Sequence, residues 1–137
     1  MNIELFVLCD AATDQQGKLN ILGAFDSLWA KTVPVSHPQC AVALRIRFSK
    51  IEAGEHKIKI NVVDEDGQSV VPPFETKVNV GFANIKVTSV AANMILNLHG
   101  LKFQKFGEYS IDLAIDGRQE ASLPFYVNQL PAQAKEK

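Results

Sequence analysis

Gly107-Glu108-Tyr109-Ser110-Ile111-Asp112-Leu113-Ala114-Ile115-Asp116-Gly117 alternates apolar and polar side chains and stops on Asp-Gly. Side chains in a strand point to opposite faces in turn. Tyr109, Ile111, Leu113 and Ile115 therefore share one buried face. Asp-Gly is the pair that a two-residue hairpin turn needs, because both positions take positive φ. Leu123, Phe125 and Val127 then answer from the return strand. Earlier in the chain Gly54-Glu55-His56 opens a similar unit, with Ile58, Ile60 and Val62 inward and Lys57, Lys59 and Asn61 outward, running into Glu65-Asp66-Gly67. The two units obey the same turn physics and set the fold class as β.

Working outward, residues 40–49 alternate as cleanly. Val42, Leu44, Ile46 and Phe48 take one face, and Ala41, Ala43, Arg45, Arg47 and Ser49 the other. This is a strand with one face on a core and one in water. Residues 3–9 and 18–24 are two more strands. Residues 11–17, with Asp14 and Gly17, form a turn or short loop between them. Gly23 marks a bulge or a close backbone approach. Residues 25–29 either continue the second strand or cross to another sheet. Pro72-Pro73 ends the return of the first hairpin, since neither residue donates to a ladder, and 76–80 form a further short strand. Residues 84–93 fit a strand or an irregular loop equally, and 94–103 alternate again up to Gly100. No sustained helical period occurs. The expected architecture is an all-β, immunoglobulin-like antiparallel β-sandwich of about seven to nine strands. A single domain over 1–128 is followed by a flexible tail, 129–137. Tyr109 after Gly107 has the start of a tyrosine corner, whose hydroxyl bonds nearby backbone where the chain passes between sheets.

The composition narrows the function. Of 137 residues, 14 are Lys or Arg and 15 are Asp or Glu, a net charge of −1. Nucleic-acid binding draws on neutralised phosphates and goes with a basic surface, so neither nucleic acid nor an anionic membrane is an expected partner. No secretory signal pattern begins the chain. The two cysteines, Cys9 and Cys40, are read as small apolar side chains of a reducing, cytoplasmic setting.

No catalytic constellation, metal site or cofactor site is expected. His37, His56 and His99 share no metal-ligand spacing with one another or with the cysteines. Asp64, Glu65, Asp66 and Asp116 admit a calcium reading if both hairpin turns share one end of the molecule. Turn chemistry explains the same acids without a metal. Asp10 and Asp26 end apolar runs and serve as backbone acceptors more naturally than as general bases. Asn93, Asn97 and His99 line either a polar groove or a solvated strand face. The expected function is non-enzymatic, through protein–protein contacts, either self-association or a place in an assembly. The candidate contact residues are Trp29, the sole tryptophan, in one apolar segment and Val71 and Phe74 in another. The alternative is a small-ligand or carbohydrate-binding module.

A wider set of segments carries a resemblance. Leu8-Cys9-Asp10-Ala11-Ala12, then Gly17-Lys18-Leu19-Asn20-Ile21-Leu22-Gly23-Ala24-Phe25-Asp26, then His37-Pro38, then Asn93-Met94-Ile95-Leu96-Asn97-Leu98-His99-Gly100-Leu101-Lys102-Phe103 lead up to Gly107-Glu108-Tyr109 and Asp116-Gly117. Together they resemble a domain-of-unknown-function family of small bacterial proteins. The resemblance implies a bacterial, intracellular, single-domain all-β protein and supplies no catalytic residues. A looser likeness to immunoglobulin-like and C2 sandwiches concerns architecture alone.

Overall fold

The Asp116-Gly117 turn forms as its residues require, with φ of 53° and 82°. It joins two of nine strands in a computed structural model that describes residues 1–83 and 86–131. The strands are β1 (Asn2–Gln15), β2 (Lys18–Ala24), β3 (Ser27–Ala30), β4 (Val35–Ser49), β5 (Gly54–Val63), β6 (Phe74–Val80), β7 (Ser89–Phe103), β8 (Gly107–Ile115) and β9 (Arg118–Gln129). A single 3-10 turn, Lys50–Glu52, is the one helical piece among the described residues. Two sheets result, ordered β2-β1-β4-β7 and β3-β9-β8-β5-β6.

The inner faces share one core. Val42, Leu44, Ile46 and Phe48 of β4 meet Ile58, Ile60 and Val62 of β5 and Ile111, Leu113 and Ile115 of β8. All of these were legible from alternation. Phe103 of the first sheet touches Tyr109 and Phe125 of the second, at ring separations of 5.0 and 5.7 Å. The Tyr109 hydroxyl donates to Lys105 O at 2.7 Å. Lys105 lies where the chain passes from β7 in one sheet to β8 in the other, so this bond pins the crossing.

Several expectations are corrected. The architecture is all-β but not wholly antiparallel, since β3 pairs with β9 in parallel. The chain leaves β2, crosses between the sheets at Phe25 and Asp26, and enters the second sheet alongside its last strand. Residues 11–15 are not a loop. β1 runs on through them because β2 supplies a second set of partners, from Cys9↔Ala24 to Gln15↔Lys18. In the first hairpin only a brief return follows Gly67, a bridge between Val63 and Ser69. Pro72-Pro73 then interrupts the pairing, which resumes at Phe74 as β6. Residues 84–85, part of the ambiguous 84–93 segment, lie outside the described residues, and β7 begins at Ser89. Of the expected tail, Gln129 ends β9 and the Leu130 N–H donates to Ala30 O at 2.9 Å. Residues 132–137 lie outside the described residues.

The expected wet face of β4 is also half covered. Ala41 and Ala43 are fully buried. Beyond Cys9 the β1–β2 hairpin bends back across the outside of the first sheet. Its tip reaches β7, where Asn93 Nδ2 donates to Gly17 O at 3.1 Å. Asp10 sits in the notch left by Gly23, where an added Cβ would lie 2.4 Å from its Oδ2. Beside the hairpin, Glu4 bonds Arg45 Nε at 2.9 Å and Arg47 Nε at 2.6 Å, while Arg45 also reaches Asn93 at 2.9 Å. Arg47 first, then Arg45, holds the Glu4 carboxyl below its ordinary pKa. These bonds tie β1, β4, β7 and the hairpin tip together, and they occupy Asn93, one of the three residues of the groove reading.

Candidate interaction surface

Strand alternation in β3 sends Leu28 into the core and Trp29 outward. The strand is held at both ends, by Tyr126 N–H on Asp26 O at 2.8 Å and Leu130 N–H on Ala30 O at 2.9 Å. In this register Trp29 lies opposite Asn128 and Ser27 opposite Tyr126. Trp29 and Tyr126 therefore share the outer face of one sheet edge. Trp29 is 58% exposed and Tyr126 36%. An exposed tryptophan, anchored by backbone bonds on both sides, is a rigid apolar contact point.

Phe74 and Val71 are elsewhere. Phe74 opens β6, at the opposite edge of the same sheet, across from Ile60, and is 37% exposed. Val71 is half-buried against the core. Four strand spacings separate β3 from β6, roughly 19 Å. The three candidate residues thus belong to two separate places, at opposite edges of the sheet. Composition marked both segments as apolar, but nothing local in either segment encodes strand order.

A polar cluster was not foreseen at all. His56 Nδ1 lies 2.7 Å from Asp116 Oδ2, and Nε2 lies 2.6 Å from Glu52 O. The ring stacks on Phe48 at 4.7 Å. Both neighbours are acceptors, so both ring nitrogens must carry hydrogen to satisfy them. The bond to Glu52 O first, and the Asp116 carboxylate next, raise the His56 pKa, and His56 in turn lowers that of Asp116. Glu52 is itself fixed by accepting the Ser49 N–H at 2.8 Å, the first cause of a carboxyl pKa lowered to about 2. The cluster lines a hollow of about 440 Å³ with Arg118 and Glu120. Neither ring nitrogen is left over to take a proton from a substrate.

The pair has a defined pH window. A raised histidine pKa means the folded state holds the proton more tightly. That contribution is complete below the unfolded value of about 6.5 and is lost as pH rises through the folded value. The lowered Asp116 pKa contributes above its unfolded value of about 3.9 and is lost as pH falls through the folded one. The clamp is therefore strongest between about pH 4 and 6.5. Thermal melts across pH 5–9 are expected to show stability declining above pH 6.5 in the native chain and a flatter profile in His56→Gln. Superimposable profiles would refute the clamp.

The acidic turns do not share an end. β5 and β8 run antiparallel, so Asp64–Asp66 and Asp116 sit at opposite ends of the sheet, roughly 24 Å apart. The acids are also occupied. Asp64 accepts the N–H groups of Asp66 and Gln68, Glu65 accepts that of Glu108, and Lys105 pairs with Asp66 at 2.9 Å. Among the described residues no group of three or more His, Cys, Asp or Glu could hold a metal ion. Cys9 and Cys40 are buried and unbridged, and burial pushes the Cys40 thiol up to about 11. Asp26 Oδ1 accepts the Ser27 hydroxyl. No helix among the described residues is long and apolar enough to cross a membrane.

A family model described as "Family of unknown function (DUF6941)" matches residues 4–128. No curated protein matches the chain. Among solved structures, it is similar to the alkylpurine DNA glycosylase AlkC of Pseudomonas fluorescens, bound to DNA containing an abasic site analog. Identity is 8% and the TM-score 0.50, over 75% of this chain and 28% of that one. It is also similar to a beta-glucosidase from Listeria innocua in complex with isofagomine, at 10% identity and a TM-score of 0.46, over 90% of this chain and 16% of that one. The chain thus spans less than a third of either protein, and the first likeness concerns fold alone.

Proposed function

The chain belongs to the family of unknown function DUF6941, and we propose that it works as a non-enzymatic protein-contact module whose anchor is Trp29. On this reading residues 1–128 form one immunoglobulin-like β-sandwich acting in a bacterial cytoplasm, with a protein partner rather than nucleic acid or a membrane. The exposure of Trp29 on a strand clamped by backbone bonds carries the reading. The near-neutral charge supports it. So does the engagement of both His56 nitrogens, which removes the His56–Asp116 pair from acid–base duty.

The test places a photoreactive amino acid at position 29 in cells that carry the gene, with position 77 on β6 as control. A discrete protein adduct is expected from 29 and not from 77; no adduct from 29 would overturn the reading. For the captured partner, Trp29→Ala is expected to weaken binding by about 2 kcal/mol, roughly thirtyfold. The carbohydrate alternative is favoured by one observation, the Trp29–Tyr126 pair on a sheet face. Since Trp29 is the sole tryptophan, its fluorescence reports that case directly: a saturable blue shift with soluble hexasaccharides would select the alternative.

A further inference from the structure

Four strands end the two sheets, β2 and β7 in one and β3 and β6 in the other. An open edge presents unpaired N–H and C=O groups, and proteins commonly blunt it with charge, proline, kinks or shortness. Three of these edges carry such devices. β3 has four residues. β6 carries Glu75 and Lys77 and follows Pro72-Pro73. β2 carries Lys18 and is bent at Gly23, where φ is +70°.

β7 carries none of them over most of its length. It is 15 residues long. Its pairing with β4 runs from Ser49↔Ser89 to Val35↔Phe103 without a register shift. Residues 89–98 contain no charge, no proline and no glycine. Among the described residues no strand pairs with its other side, and the β1–β2 hairpin tip meets β7 through the Asn93 side chain and not through its backbone edge. Its inward side chains Val90, Met94, Leu96 and Leu98 are only half-buried although they pack on the core.

We propose that β7 is a dimerisation edge, occupied by β7 of a second copy of this chain in antiparallel pairing about a two-fold axis. Self-pairing is the arrangement that an uncharged segment suits. In an isologous contact every charge near the axis would approach its own copy, and 89–98 brings none. The pairing keeps inward residues opposite inward ones, for example Met94 opposite its copy and Val90 opposite Leu98, so the half-buried side chains continue the core across the axis. Pairing 89–98 with its copy forms about ten backbone hydrogen bonds, the number an ordinary interface carries. The contact lies on the other sheet from Trp29 and stands independently of that reading.

The test is the molar mass of the full chain in solution, by sedimentation equilibrium from about 1 to 200 μM, with two variants. Ile95→Lys charges the outward side of the edge without entering the core. Trp29→Ser alters the other edge. A native dimer that Ile95→Lys splits, raising its dissociation constant at least tenfold while Trp29→Ser leaves it intact, is the expected result. A native-like circular dichroism spectrum and a single cooperative melting transition exclude unfolding of the variant as the cause. As a second readout, single cysteines at positions 92 to 96 in turn, oxidised mildly, are expected to cross-link chains near the axis, Cys9 and Cys40 being buried. A native chain that stays monomeric at 200 μM overturns the proposal, as does a dimer that Trp29→Ser splits and Ile95→Lys does not. Failure of cross-linking at all five positions also overturns it.

Discussion

Phe125→Ala is expected to lower the stability of the fold by about 3–5 kcal/mol, the usual cost of emptying a phenylalanine site in a packed core. Phe125 is 2% exposed. It stacks on Tyr109, its cross-strand neighbour, at 5.4 Å and meets Phe103 edge-on at 5.7 Å. The three rings come from β7, β8 and β9, so the cluster joins the two sheets and does not merely fill one. Its loss removes apolar burial and two ring contacts together, and the strands around it cannot close the gap without breaking their ladders. A domain of this size has about 5–15 kcal/mol in total, so the substitution removes a large share of its stability. Urea melts measure the change. The midpoint is expected to fall with the m value unchanged. A loss below about 1 kcal/mol would mean that the rings do not carry the contact between sheets. Phe125→Leu, which keeps most of the volume, is expected to lose less than half as much.

Gly107→Ala is expected to cost about 1–3 kcal/mol from backbone strain, with a further loss from a displaced neighbour. Gly107 has φ of +140°, a conformation that L side chains rarely adopt. An added Cβ would also lie 2.6 Å from Glu65 Oε1. That oxygen accepts the Glu108 N–H at 2.8 Å, so the carboxylate is pushed off the first bond of β8. Gly54 separates the two effects. Its φ is +125°, yet an added Cβ there meets nothing within 4 Å. Gly54→Ala is expected to show the strain alone, and Gly107→Ala to exceed it. Equal losses at both positions would show that Glu65 moves aside freely.

These two glycines also show how far the sequence could be read. Each was visible as the start of an alternating run, because a strand and its turn are written in adjacent residues. That Gly107 also makes room for Glu65 was not visible, since Glu65 arrives from the far end of β5. The same division runs through the candidate sites. Trp29 stood out by composition, and the Tyr126 that shares its face lies nearly a hundred residues away in sequence. His56 and Asp116 each looked like ordinary strand-end and turn residues. Only the β5–β8 register brings them within 2.7 Å. The burial of Ala41 and Ala43 depends on a hairpin that folds back over them, although their own segment alternates as a half-wet strand does.

From the sequence alone came the clearly alternating strands, their inward residues and the Asp-Gly turn, since period-two alternation and turn conformation are set by each residue and its immediate neighbours. Tertiary structure alone decided which strands lie side by side: β3 parallel to β9, Trp29 and Phe74 at opposite edges, and β7 left open. Backbone hydrogen bonds that join strands are the same for nearly every residue. Alternation therefore states which side of a strand is buried, while its neighbour is chosen by how the whole set of faces packs around one core.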